Sequence, residues 1–564
     1  MEQVTNEVMQ GSVPAPEPES APAASGALGV PGGSPADPQE APAGSLAGTQ
    51  GTSVGSLTEP QGAPAGSASL NARAAAMGYR PRERYPKRRA QGRDLILAGV
   101  LLGFCFLLWD ALSWAMGLGL GEALGLVGLL PAALVYLRRR PGRMPGFGWL
   151  CAALYLLGAV SLAFSGDWAL KLLTLLLLAF LFPLVILERL GLWTGRGFRS
   201  MVSDYLEAAF VMSLGRINLG AWALTHAGTE DSAWSKRNRA MLLGLVCAVP
   251  ALLVLVPLLV SSDAAFEGMV ARLDWDLVGR GILALLCGGF TALLIFTLLF
   301  SSDQGPKPLS GGPGKGLEPA AVAAFLGAIS AAYVLYLAAQ FAYFTDAFRG
   351  LLPKDFTVAE YARRGFFEMC GIVAINLALI LLALGLCRKE GGRVPAAVKA
   401  LSLFLCVFSL LLVATALSKM VLYMGSFGLT RLRVLTSVFM VFLGVVVCAT
   451  GLRLFVKRLP VARLAVGLGA ALLIGLSLGN VDGLVARYNV SAWKTGKLDS
   501  LDMKTVCELG DGAVPVLAEL AADPDPGISA QARKELSGRT AGSDWRSWNL
   551  IAQQAAEALR QSEP

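Results

Sequence analysis

The residues of this chain best able to do chemistry are ionisable side chains inside long apolar runs. A charge at the centre of a bilayer costs about 2.5–3.5 kcal/mol on insertion scales and is kept only with a partner or a purpose. Asp110, Glu122, Lys171 and Lys419 are of this kind. Each lies toward one end of its run, and the alternation of runs brings all four to the same outer face. Two arrangements are open. Asp110 or Glu122 pairs with Lys171 or Lys419 and lines an outward cavity, or each side chain snorkels to the interface by itself. Asn376 lies mid-run, where a hydrogen bond across helices suits it better than a ligand. Pro250 and Pro257 interrupt the fifth run, as a kink or as the broken helix of a substrate site, but no internal repeat supplies a matching break.

Signatures of enzymes and cofactors are missing. His226 is the single histidine, so no HExxH or His-rich metal site can be built, and GxSxG does not occur. GGPGKG at Gly311–Gly316 fails the phosphate-loop pattern, because Gly follows Lys315 and Pro313 removes a backbone donor. The nine cysteines include no CxxC, which argues against a zinc site or a disulfide framework, and Cys507 has no soluble partner. No catalytic, cofactor-binding or metal-ligating set is expected.

The elements that must position these residues are membrane spans. Over 564 residues the chain is 54% hydrophobic and only 16% charged, with a mean hydropathy of +0.57, which excludes a string of soluble domains. Apolar runs at about 95–115, 118–137, 147–165, 168–188, 241–261, 279–300, 321–345, 366–387, 398–424, 434–456 and 461–479 each have room for a helix of ~20 residues. The expected fold is all-α, a polytopic helical membrane protein of about eleven spans over 95–479. A small helical soluble module follows at 480–564. Gly117, Gly121 and Gly125, and Gly467, Ala471, Gly475 and Gly479, are small residues four apart that let helix backbones approach, within the chain or between copies in a homo-oligomer.

Residues 1–78 are rich in Pro, Ala, Gly and Ser with scattered acids, too poor in apolar surface to offset the entropy of ordering, so they read as a disordered tail. The basic segment 79–94 precedes the first span and is expected to touch anionic headgroups from the cytoplasm. An odd span count then places the C-terminal module outside. The formal charge of +8 is read as topology, with the lipid bilayer as partner and no nucleic acid. Arg363, Arg364, Arg431 and Arg433 run against this orientation. Within 189–240, Phe198, Met201, Val202, Tyr205, Ala209 and Met212 recur at helical spacing, as in an interfacial amphipathic helix or a helix that docks a cytoplasmic partner. A second interfacial candidate covers 346–364, with Thr357 and Glu360 forming a capping box. In the module, Ala513–Asp525 reads as an amphipathic helix. A final helix capped by Asp544 sets Trp545, Trp548, Ala552, Ala555 and Leu559 on one stripe.

YARRGFFEM (Tyr361–Met369), YMGSFGLTRLR (Tyr423–Arg433), NVDGLVARYN (Asn480–Asn489), TGKLD (Thr495–Asp499) and WRSWN (Trp545–Asn549) occur in this order. In these segments the chain resembles a bacterial family of multi-pass membrane proteins known as domain of unknown function 4173, related to domain of unknown function 4153. The resemblance implies an integral protein of the bacterial cell envelope and brings no activity. It draws attention to Tyr361, Arg363, Glu368, Tyr423, Gly428, Thr430, Arg431, Arg433, Asn480, Asp482 and Asn489. The arginines of GLTRLR are expected to meet acids such as Glu368 or Asp482, either to lock the last spans to the module or as a plain structural junction. Two functional classes follow. One is an envelope sensor or scaffold whose tail and outer module bind protein partners; the other is a secondary transporter or permease with an outward polar cluster.

Overall fold

The computed structural model describes residues 87–113, 119–193, 198–227, 233–262, 268, 272, 274–304, 316–349, 366–389, 393–456, 459–539 and 544–562. Tyr361, Arg363, the Thr357–Glu360 box, most of GGPGKG and the N-terminal tail lie outside them. The described chain is all-α. A helix forms at every apolar run: α1 Gly92–Ser113, α2 Leu120–Tyr136, α3 Gly146–Ser161, α4 Trp168–Leu190, α7 Ala233–Ser262, α8 Trp275–Asp303, α9 Pro319–Arg349, α10 Phe366–Leu386, α11 Ala396–Phe427, α12 Arg431–Arg453 and α13 Val461–Leu478. Nine helices among the described residues are long and apolar enough to cross a membrane. α3 and α7 are not among the nine, so the chain is a multi-helix membrane protein whose full span count stays an expectation. α7 is helical through both Pro250 and Pro257, so neither proline ends the helix.

Apolar side chains point outward as well as inward. Ile96, Val135, Leu286 and Leu335 are each at least two-thirds exposed, a surface that water would penalise and hydrocarbon does not. Inside, one core joins α1, α2, α3, α4 and α8 with Ala470 and Ile474 of α13. A second joins α9, α10, α11 and α12. α13 links the two, since its first residue, Val461, also packs against α12. α13 is tied to α4 twice: Thr174 and Ser477 hydroxyls lie 2.8 Å apart, and Arg463 approaches Glu188 at 3.4 Å. The glycine repeat of α2 serves packing within the chain: a Cβ at Gly121 would strike Ala111, and one at Gly125 would press on Phe104 and Leu108. Asn376 bonds across three helices, accepting from Tyr333 Oη at 2.8 Å and donating to Ser409 Oγ at 3.1 Å.

The segment between α4 and α7 departs from expectation. It forms α5 Phe198–Leu206, a π-helical turn at Glu207–Val211 and α6 Ile217–Thr225. Asp204 and Glu207 are buried while Val202, Leu206, Phe210 and Leu214 are exposed. Tyr205 donates to the Phe180 carbonyl in the middle of α4, and Ser301 donates to the Met212 carbonyl. The segment is therefore wedged against α4 and α8, with acids facing protein and apolar groups facing out. The expected stripe is therefore divided: Val202 faces out, Met201, Tyr205 and Ala209 are half-buried and Met212 is buried in the protein, because the segment packs on α4 and α8 as well as presenting apolar groups outward.

After α13 the chain forms α14 Val481–Lys494, α15 Met503–Cys507, a 3₁₀ turn at Asp511–Ala513, α16 Val514–Leu520, α17 Pro526–Ser537 and α18 Leu550–Ser562. The core of this module includes Leu170 of α4, with Leu473 and Leu476 of α13 packed on it, so module and bundle share one hydrophobic cluster. Asp544 does not cap the last helix. α18 starts after WRSWN, where Asn549 Oδ1 accepts from Ala552 N–H at 2.9 Å. Trp545 and Trp548 sit in the preceding turn, about half exposed.

Candidate functional site

The two ends of the bundle differ. At one end, the start of α1 and the ends of α2 and α8 converge: Arg88, Arg93 and Arg140 all reach Asp303. Arg88 also binds Asp94 at 2.8 Å, and Asp94 accepts from Tyr136 Oη. At the opposite end, the C-terminal module rests on the ends of α1, α2, α4, α12 and α13, and most of the family-motif residues gather there.

The junction is built around Arg431, the first residue of α12. Thr430 caps that helix, its Oγ1 accepting from Arg433 N–H, which fixes where the Arg431 side chain starts. Its guanidinium donates from Nε and Nη2 to both oxygens of Asp482, at 2.8 and 2.7 Å, the planar fork that arginine offers and lysine does not. Asp482 takes a third hydrogen bond from Gly510 N–H at 2.9 Å. Arg431 Nε also lies 3.2 Å from Asp167 Oδ2. Asp167 caps α4 through its other oxygen, which accepts from Ala169 and Leu170 N–H. Both carboxylates are 7% exposed and the arginine 28%, so one cation holds two largely buried anions drawn from elements distant in sequence. Asp167 was not among the expected residues. Its signal was an Asp directly before an apolar run, an ordinary cap pattern.

Around this triad, backbone and amides interlock. Asn489 Oδ1 accepts from Leu429 N–H at 2.7 Å and its Nδ2 donates to Leu429 O at 2.8 Å, pairing with the chain between α11 and α12 as a strand would. Gly428 has φ +71°, and a Cβ there would stand 2.6 Å from Asn489 Oδ1, so both conformation and space require glycine. Asn480 caps α14 through Gly483 N–H at 2.7 Å and donates to Gly512 O at 3.1 Å. Arg433 meets no acid among the described residues. It donates to the Phe427 and Gly428 carbonyls and stacks over Tyr423 at 4.0 Å. Glu368 is exposed on the first turn of α10 and partners neither arginine. Between Ser165, Asp167, Asn480, Asp482 and Gly512 lies a cleft with room for roughly one water.

Of the four charges near the ends of the spans, Glu122 and Lys171 come within electrostatic reach of each other, while Asp110 is engaged elsewhere. Glu122 Oε2 accepts from Gly119 N–H at 2.7 Å, a helix cap at the start of α2, and Glu122 lies within electrostatic reach of Lys171. Lys171, 3% exposed, lies within electrostatic reach of Glu122, Asp511 and Asp167. Asp110 binds Arg546 of WRSWN instead, at 2.7 Å. Lys419 is half-buried in α11. The WRSWN turn itself closes the end of α2: Leu120 N–H donates to Trp548 O at 2.9 Å and Gly121 N–H to Arg546 O at 3.1 Å. These are helix-terminal donors that have no intrahelical partner. Among the described residues no group of three or more His, Cys, Asp or Glu could hold a metal ion.

A protein-family model described as "Domain of unknown function (DUF4153)" matches residues 150–520, from α3 through α16 of the module. The chain belongs to the DUF4153 family. The match covers both sides of the Arg431 junction, whereas WRSWN falls beyond it. No curated protein matches, and no solved structure does. DUF4153 membership brings no assigned reaction; the membrane character rests on the apolar helices.

Proposed function

We propose that this DUF4153 protein is a scaffold of the bacterial cell envelope. In this reading an eleven-span bundle in the plasma membrane carries a helical module on its extracytoplasmic face and holds it in one orientation for protein partners. The observation that carries the reading is the Arg431 bridge to Asp482 and Asp167, which ties α4, α12 and the module by charge at one point. The orientation is supported by the opposite end, where Arg88, Arg93, Arg138, Arg139, Arg140, Arg143 and Arg189 concentrate, as the positive-inside rule asks of a cytoplasmic face. A transporter would need polar groups open to a substrate. Asp110 is engaged by Arg546, Glu122 caps its own helix and Asp482 carries three donors, which favours the scaffold.

Single cysteines at Ser426, Ser500 and Ser235, in a cysteine-free background, test the arrangement with a membrane-impermeant thiol reagent on intact cells. Labelling at Ser426 and Ser500 but not at Ser235 is expected. Labelling at Ser235, or protection of Ser500, overturns the orientation. Substrate-dependent flux in proteoliposomes that is lost on changing Asp110 or Lys419 would replace the scaffold by a transporter.

A further inference from the structure

The basic end holds a second feature, independent of the scaffold reading and resting only on the bilayer placement. The turn between α2 and α3, residues 137–143, carries arginines of two kinds. Arg140 turns inward to Asp303 at 3.3 Å, joining Arg88 and Arg93, so the two buried acids, Asp94 and Asp303, are already surrounded by cations. Arg138, Arg139 and Arg143 are exposed and make no side-chain hydrogen bond or ion pair among the described residues. Their backbone is nonetheless fixed. Arg189, at the end of α4, donates to Leu137 O and Arg140 O at 3.0 Å and to Gly142 O at 3.1 Å, stapling both limbs of the turn. Three guanidiniums thus project from a constrained loop with no acid paired to them among the described residues.

Directly beside this turn the surface is apolar. Val135 in the last turn of α2 is 70% exposed, and Trp149 and Leu150 in the first turn of α3 are 61% and 49% exposed. Guanidiniums carried on a fixed backbone suit a phosphate, to which they donate in pairs. An apolar ridge at the same helix ends suits acyl chains, which inorganic phosphate or an acidic peptide would leave unused. We propose that the 137–143 turn binds the headgroup phosphate of an anionic phospholipid, with Arg138, Arg139 and Arg143 as its donors and Val135, Trp149 and Leu150 against its chains. Arg88 and Arg93 of the basic segment are about two-thirds buried in the Asp303 network, so the turn offers the more open guanidiniums.

The test is native mass spectrometry of the full-length protein in neutral detergent, titrated with phosphatidylglycerol or phosphatidylcholine. The variants are R138Q/R139Q/R143Q and, as a control on the turn after α10, R388Q/K389Q/R393Q. Each basic residue near an anionic surface is worth about fivefold in partitioning. The first variant is therefore expected to lose at least tenfold of the preference for phosphatidylglycerol, and the control to keep it. If the triple variant fails to fold, R139Q alone is read by the same ratio, with a loss of about fivefold expected. Unchanged preference in the turn variant, or equal loss in the control, overturns the site. Displacement of phosphatidylglycerol by inorganic phosphate at equal concentration overturns the lipid in favour of a free anion.

Discussion

Replacing Arg431 by alanine removes the one cation between Asp482 and Asp167 and leaves both carboxylates, each 7% exposed, without it. Truncating one partner of a buried ion pair costs about 3–5 kcal/mol. The arginine itself is 28% exposed, and Asp482 keeps the Gly510 N–H while Asp167 keeps its capping bonds, so the low end applies, about 3 kcal/mol or roughly 100-fold in an opening equilibrium. Cys507 reports that opening. It is half-buried in the module, and burial, aided by Glu535, pushes its thiol above the usual range, so it reacts slowly until the module detaches. With Cys507 as the sole cysteine, the Arg431→Ala protein is expected to label with a maleimide about two orders of magnitude faster than its parent. Arg431→Lys, which keeps the charge and loses the fork, should fall between them. Asp167→Asn, which keeps the cap of α4 and removes one charge, should cost less than the alanine variant. Combining Arg431→Ala with Asp482→Ala should cost less than the two singles added, by about 1 kcal/mol or more. Labelling of the Arg431→Ala protein at the parent rate, with its melting temperature in detergent unchanged, would refute the bridge as the element that holds the module.

Three further outcomes follow from the same junction. Gly428→Ala places a side chain in a left-handed conformation and against Asn489. A loss of about 2 kcal/mol is expected, read as faster Cys507 labelling, and Asn489→Asp should mimic part of it because a carboxylate cannot donate to Leu429 O. Arg546→Ala strands Asp110, 13% exposed, and should weaken the docking of the C-terminal turn by about 2 kcal/mol, seen as a change in the emission of Trp545 and Trp548 and as faster proteolysis before α18. Asp502, the cap of α15, is held below the usual carboxylate range chiefly by the Thr505 hydroxyl. A depressed folded value means stability that is present above about pH 4 and lost as pH falls through the folded value. Asp502→Asn should keep most of the cap at neutral pH and flatten that acid limb in hydrogen-exchange profiles of α15.

The positions of the long apolar helices were legible in the sequence, because a helix in lipid satisfies its backbone within itself and needs only a local run of apolar residues. Arg431, Asp482, Asn480 and Asn489 stand out through the resemblance of their segments to family motifs, not through a local rule of patterning. The partners of these residues were not legible. Asp167 lies hundreds of positions from Arg431, and Arg546 reaches Asp110 across 436 positions. No periodicity encodes such a pairing, which depends on which helix ends the packing brings to one face. Glu122 read as a candidate for an ion pair, and its role as a cap became visible only with α2 starting at Leu120. Asp204 of α5 and Glu207 of its π-turn lie off the apolar stripe, and only the structure shows them buried, since the sequence gives the period of a helix but not which side meets protein and which meets lipid. What the chain determined by itself is therefore a helical membrane protein with a polar module at its end. Tertiary packing alone decided that one arginine and two buried acids join the contacts fastening this module, because burial of charge is a property of neighbours and not of sequence.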